Sequence, residues 1–468
     1  MLEVEEYTAL RRREEPYVAC TSQGIQEEYH RRLISAEDAA NMVKSGMWVS
    51  FTSGREARTI GLAVAARKEK LQDVHIFAPT PTFDFGWYDE GWEDSFRVTT
   101  RVISPLVEEG VNTGRIDFDP GTLIPFSDIE VGRPRYAPDI LFVEISPPDE
   151  KGYCSFGNSV WAKKRHIRQA KLVIGETNKN LIRTYGDNFV HMSEMDYFVE
   201  HVPSGSLPKG TLMTRDFKGE EHYYKAIAKY VRELIKDGDT LQIGAGRTTE
   251  PLVSLGILGD KNDIGYHSEL APPGIIKLVQ EGVVNGKCKT INRGKVVVTA
   301  IGGGTVEQMN WVNMNPLFWV VDETYLEYLR VIAAHDNFVA INNILSVDLT
   351  GQATSESLGT YQRGVQGGQL AFTLGASLSR GGRSIQVTPS VSKTKEGKLV
   401  SRVVRYHPEG TVVTVPRTCV DYVVTEYGMA RLKGKTIRER CSELISIANP
   451  EFRAELQEYA KRRYGLRT

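Results

Sequence analysis

A duplicated α/β protein with mainly parallel sheets is what this sequence predicts, on three observations. From Ser35 onward the chain reads helix, strand, glycine turn, helix, the order that builds a parallel sheet. The thirteen residues Val43 to Arg55 line up without gaps on Ile235 to Arg247, an offset of 192. The chain has 468 residues, too long for one ordinary hydrophobic core, so two or three domains are expected.

The elements can be taken in order. The first 30 residues, with Arg11-Arg12-Arg13-Glu14-Glu15, read as a charged helical arm, either solvated or packed on a partner subunit. Ser35 is an N-cap, with Glu37 and Asp38 in the first turn of a helix that Gly46 ends. Met47 to Phe51 is a strand, Thr52-Ser53-Gly54 a turn, and Ile60, Leu62, Ala63 and Ala65 mark the next helix. Residues 79–137 are rich in proline, glycine and aromatics and read as loops and short helices over the sheet. The aromatics of residues 84–92 either line a pocket or form a hydrophobic satellite under a loop.

A second echo sets Phe142-Val143-Glu144-Ile145 against Phe338-Val339-Ala340-Ile341, each followed by an acid and a glycine (Asp149 and Gly152; Asp348 and Gly351). Two ordered echoes indicate two copies of one domain rather than a solenoid, with periods of about 20–50 residues. The join is expected near Leu207-Pro208-Lys209-Gly210. The division is then an arm over 1–30, a first domain over 31–210 and a second over 211–468. His222 to Leu234 opens the second copy, and a helix pair from Lys435 on closes it.

Bulk composition narrows the function. Hydrophobic content of 41% and charged content of 25% are those of a globular protein. Lys+Arg 58 against Asp+Glu 59 leaves no electrostatic footprint for nucleic acid or an anionic membrane. No apolar run approaches the ~20 residues of a membrane helix, and the acidic start lacks a signal-peptide pattern. Five dispersed cysteines argue against a disulfide framework or zinc site and fit a reducing cytoplasm.

The chemistry-bearing stretch is Asp263 to Leu270, where a short buried strand ends at Glu269 before Pro272 and Pro273 rule out a regular helix. A lone carboxylate there, taken by itself, is more readily an ordinary turn or capping residue. Gly244-Ala245-Gly246 ends a strand and opens a helix, so its amides suit an anion, or else it is a plain tight turn. It lacks the third glycine of a dinucleotide fingerprint. Gly364 to Phe372, with Gly367-Gly368-Gln369, implies close backbone approach to backbone or ligand. Asn342 follows an apolar strand at the edge where parallel-sheet ligands bind, and either contacts a ligand or satisfies backbone groups.

Taken together, Gly-x-Gly, then Gly-x-His-Ser-Glu, Ile-Asn-x4-Val-Asp-Leu-x-Gly-Gln, Gly-Gly-Gln-x2-Phe and Val424-Thr425-Glu426-Tyr427-Gly428 resemble the acetyl-CoA hydrolase/transferase family. The resemblance runs from about residue 30 to 455. It implies two tandem CoA-transferase-type α/β domains, with Glu269 as covalent nucleophile and the amide of Gly368, in the Gly367-Gly368 pair, as oxyanion donor. It also implies a CoA-contacting loop over Gly244, Ala245, Gly246, Arg247 and Thr248. Arg380 matches a lysine that contacts CoA in some relatives. No metal and no cofactor are implied, coenzyme A being a substrate; the partners are an acyl-CoA and a carboxylic acid, in a homodimer or a multiple of one. The chain departs from the pattern at Arg247-Thr248-Thr249, at Ala371, where many relatives have an acid, and at Glu327-Tyr328-Leu329, in place of a polar Asn-x-Pro segment.

An ionised carboxylate can attack a thioester without a general base, because it has no proton to lose, and its ordinary pKa of ~4.3 keeps it charged unless burial intervenes. The expectation is a CoA-transferase working through a glutamyl-CoA thioester. The alternatives are an acyl-CoA hydrolase using the same glutamate, and a non-catalytic ligand-sensing module on the same scaffold.

Overall fold

The structure is a computed structural model that describes residues 22–121, 135, 137–203, 221–394 and 396–467. The charged Arg11 to Glu15 run and the join expected at Leu207 to Gly210 lie outside the described residues. The chain forms two compact units, one of residues 1–214 with 309–324 and one of residues 215–308 with 325–468.

In the first unit a sheet is built from β1 (Trp48–Phe51), β2 (Val74–Phe77), β3 (Phe96–Thr100), β4 (Asp117–Phe118), β5 (Ile140–Ile145), β6 (Leu172–Thr177) and β7 (Tyr197–Glu200). Their order is β7-β6-β5-β1-β2-β3-β4, all parallel. Every residue of β5 is buried, as a strand covered on both faces must be. Helix α1 (Ser22–Arg31) buries Ile25 and Tyr29, and Tyr29 reaches Thr177 Oγ1 at 2.9 Å and packs edge-on against Phe198. The tail of the expected arm is therefore part of this unit, held by those two apolar side chains. Ser35 caps α2 (Ala36–Asn41), its Oγ accepting from Asp38 N–H at 3.0 Å.

The segment expected as loops contains β3 and β4. β-Branched Val98, Thr99 and Thr100 carried that signal, which the surrounding prolines and glycines obscured. Its aromatics pack inward. Phe85 stacks on Trp87 at 4.4 Å, both lie against Phe51, and Trp87 is 2% exposed. Trp87→Ala should cost about 3–5 kcal/mol by opening a cavity, read as a lowered denaturant midpoint on chemical unfolding.

In the second unit the main sheet runs through β8 (Thr240–Ile243), β9 (Gly265–Ala271), β10 (Val296–Ile301), β11 (Phe338–Asn343), β12 (Arg383–Val387), β13 (Tyr422–Thr425) and β14 (Gly428–Arg431). The order is β14-β13-β12-β11-β8-β9-β10. Only β14 is antiparallel, folded back on β13 by a tight turn. The arrangement repeats that of the first unit strand for strand, with β1, β2, β3, β5, β6 and β7 answering to β8, β9, β10, β11, β12 and β13.

The ladders also correct the second echo. With Phe51 set on Ile243, the pairings Phe51↔Phe142 and Ile243↔Ile341 make Phe142 the counterpart of Ile341, three residues away from the sequence match to Phe338. Apolar runs buried on both faces do not fix register. The acid–glycine half of the echo keeps the ladder's spacing: Gly152 N–H donates to Asp149 O and Gly351 N–H to Asp348 O, both at 2.9 Å, and both glycines have positive φ.

The closing helix pair is present as Ile437–Ile447, with a Thr436–Glu439 capping box, and Pro450–Tyr464, capped by Asn449. Among the described residues no helix is long and apolar enough to cross a membrane.

Candidate active site

β8 lies where the strand order reverses, with β9 on one side and β11 on the other, and ligands bind outside the carboxyl ends of such strands. All but one of the expected site residues gather at that edge, in the second unit. β9 runs two residues beyond Glu269 to Ala271 instead of ending at the acid, because Leu270 and Ala271 still pair with β10. β8 stops at Ile243, so Glu269 stands past the end of that neighbour, half-buried. By strand alternation His267 and Glu269 share a face.

The Glu269 carboxyl faces the backbone N–H of Gly368 and the carboxyl of Glu327. Burial raises its pKa above the ordinary carboxylate value, and both hydrogen bonds pull it back. Burial holds His267 uncharged, with Nε2 2.8 Å from Leu326 O, and Lys289, lowered to about 7, donates to the carbonyls of Tyr266 and Lys295 at 3.0 Å.

Gly368 is the N-cap of α3 (Gln369–Leu378), and this helix is anchored to the sheet through Gln369, whose Nε2 donates to Gln386 Oε1 at 2.8 Å. Gln386 donates on to Thr373 Oγ1 at 3.2 Å, so two points along the helix are tied to β12. A Cβ on Gly368 would lie 3.1 Å from Glu269 Cδ and 2.8 Å from a ring carbon of Phe372, and one on Gly367 would lie 3.9 Å from Glu269 Oε1. The glycine pair brings an amide to the carboxyl with nothing in between. Ala371 is fully buried.

Asn342 is 4% exposed and forms a reciprocal amide pair with Gln242, Nε2 to Oδ1 at 3.0 Å and Nδ2 to Oε1 at 3.1 Å. It satisfies a side chain of β8 rather than backbone groups. A Cβ on Gly244 would sit 2.4 Å from Asn342 Oδ1, so that close approach requires glycine.

The turn after β8 differs from expectation. Gly244 N–H is taken by Ile341 O at 2.8 Å, and the next helix, Glu250–Ser254, opens four residues after Gly246 and has only five residues. Ala245 and Arg247 are exposed, while Thr248 is buried. The turn therefore offers an exposed rim to a ligand, not a helix terminus.

Arg380 is not brought to this edge. It follows the C-terminal end of α3, about 15 Å of helix from Gly368. Its carbonyl accepts from Asn337 N–H ahead of β11, and its exposed guanidinium pairs with Asp336. Arg380→Ala should leave kcat/KM for an acyl-CoA within about twofold, since an exposed ion pair contributes little; steady-state kinetics checks this. Glu327 is the site residue that motif reasoning passed over; it appears in the sequence only as a departure from a pattern.

Residues 17–204 match the model of the acetyl-CoA hydrolase/transferase N-terminal domain and residues 304–460 that of the C-terminal domain. A 4-hydroxybutyrate coenzyme A transferase of Clostridium kluyveri is 38% identical over 445 residues, covering 94% of this chain and 99% of its own. Among solved structures, RipA from Yersinia pestis superposes with a TM-score of 0.82 at 29% identity, covering 94% of this chain and 99% of that one. An acetyl-CoA hydrolase of Schizosaccharomyces pombe is 32% identical over 123 residues, 26% of this chain and 22% of its own.

Proposed function

The chain belongs to the acetyl-CoA hydrolase/transferase family and is a CoA-transferase, and we propose that it exchanges CoA between an acyl-CoA and a short-chain carboxylate through a glutamyl-CoA thioester on Glu269. One observation carries this reading: the Glu269 carboxyl lies against the Gly368 N–H at the open end of a parallel sheet.

Glu269 carboxylate attacks the thioester carbonyl. The resulting oxyanion collapses to a mixed anhydride and CoA thiolate. The thiolate then attacks the glutamyl carbonyl, giving the enzyme thioester and the free acid. An incoming carboxylate runs the steps backwards with a new acyl group. An amide donor set against the developing oxyanion is typically worth ~2.7–4 kcal/mol, and Gly368 is placed to supply it at the glutamyl carbonyl. The thioester bond energy is kept throughout, so the route needs neither ATP nor a metal.

Transfer is favoured over hydrolysis because similarity to the transferase runs the length of both chains, whereas similarity to the hydrolase covers a quarter of this one. A non-catalytic sensor has no support from the full-length relatives. The same reading takes acyl-CoA and carboxylate as partners and coenzyme A as substrate rather than cofactor, in a homodimer within a reducing cytoplasm; the buried free thiols Cys154 and Cys441 are consistent with that compartment.

Intact-mass spectrometry after incubation with acetyl-CoA or butyryl-CoA tests the mechanism. A CoA adduct on Glu269 that acetate discharges is the expected result. Thiol release that needs no acceptor acid, with no adduct, would point to hydrolysis.

A further inference from the structure

Two histidine rings meet in the interior of the second unit. His267, on β9, and His335, in the turn between the helix Leu329–Ala333 and β11, are both 0% exposed. Their centroids lie 4.8 Å apart with the ring planes at 66°. Phe338, Phe372 and Tyr325 surround the His267 ring at 6.1, 6.5 and 6.5 Å. The His335 backbone is fixed on both sides, its N–H donating to Ile332 O and its carbonyl accepting from Ser379 Oγ at 2.6 Å.

His267 Nε2 lies 2.8 Å from Leu326 O. A carbonyl only accepts, so Nε2 carries the proton and Nδ1 presents a lone pair. Burial first, and Lys289 after it, keep both rings uncharged, so His335 offers one N–H and one lone pair. Among the described residues, none of three buried nitrogens, His267 Nδ1 and His335 Nδ1 and Nε2, has a hydrogen-bond partner. A buried polar atom left unmet costs the fold its full desolvation penalty, and native interiors meet such atoms with protein groups or with ordered water.

We propose that the facing rings of His267 and His335 form a binding site for ordered water, one molecule donating to His267 Nδ1 and accepting from the N–H of His335. The donor set selects this occupant. Water both donates and accepts, and a buried water makes about three hydrogen bonds. An apolar occupant leaves all three nitrogens unmet. A metal ion finds two imidazole lone pairs and no third ligand, since among the described residues no three His, Cys, Asp or Glu side chains gather to hold one. The bridge also has a place in the fold. β9 and β11 flank β8 without pairing with each other, and the bridged rings join β9, two residues short of Glu269, to the turn that leads into β11.

A crystal structure of the wild-type chain, at a resolution that shows ordered waters, is the direct test. The expected result is a solvent peak within hydrogen-bonding distance of His267 Nδ1 and of a His335 ring nitrogen. No peak there, or two rings bonded directly to each other, overturns the proposal. Magnetic relaxation dispersion of solvent water supplies the count in solution. His335→Leu removes the donor, so the variant should hold at least one long-lived internal water fewer than wild type; an equal count overturns the proposal. Chemical unfolding gives a third readout. A ring with unmet nitrogens is a burden on the fold, so without the water His335→Leu would raise the denaturant midpoint, and that result also overturns the proposal. With the water the midpoint should fall, and His335→Gln, which keeps a donor and an acceptor, should recover part of the loss. If His335→Leu does not fold, the wild-type solvent peak decides alone.

Discussion

Glu269→Gln abolishes exchange, by about a thousandfold or more, and with it the CoA adduct, because the amide that replaces the carboxylate has no anionic oxygen to attack a thioester. The substitution is nearly isosteric, so the contact with Gly368 and the fold around β9 should survive, and circular dichroism should match wild type. Glu269→Asp is the sharper control. It keeps the charge but draws the oxygens back by one methylene, away from Gly368, and should retain a small fraction of the rate. Equal, near-wild-type activity in both variants would remove Glu269 from the chemistry.

Gly368→Ala should slow formation of the enzyme thioester by about a hundredfold, the lower end of what one oxyanion donor supplies. The backbone at this position, φ −79°, suits any L-residue, so backbone strain does not enter. What the methyl meets is Phe372 at 2.8 Å and Glu269 Cδ at 3.1 Å. Phe372 is stacked on Phe338 and has little freedom to move. The amide or the carboxyl must then shift, and the bond between them is lost. Single-turnover kinetics separates this from weaker CoA binding, since KM should change less than kcat.

Much of this was legible in the sequence because it is local. Ser35 announces its helix by chemistry that acts within three residues, and glycine turns mark strand ends. The parallel sheet followed from element order. Less legible was anything set by register. The apolar run at Phe142 matched Phe338 by letter and Ile341 by ladder, since a strand buried on both faces has no pattern to pin it. A third echo, Asp196-Tyr197 against Asp421-Tyr422, emerges only once Tyr197↔Ile174 and Tyr422↔Ile385 are seen to be equivalent pairings.

The site divides along the same line. Motif order led to Glu269 and Gly368, which the structure brings into contact. It also pointed to Arg380, which belongs to the far end of its helix. Glu327 could not have been found by spacing, because it comes to Glu269 from 58 positions downstream through the folding of β10 and the segments after it.

The repeated ladders also set different residues at equivalent positions of the two units. Carrying the pairing of β1 with β2 onto that of β8 with β9 sets Ile76 against Tyr266, and two steps beyond the next pair the first copy has Pro79 where the second has Glu269. Pro79 offers only its carbonyl, which accepts from Arg101 and Val102. Nearby, the acid Glu144 is locked by Arg55 and Asn178, its charge already answered. Ancestral symmetry thus survives in the strand ladders, while a proline in one copy and an acid in the other fill the same place in the scaffold.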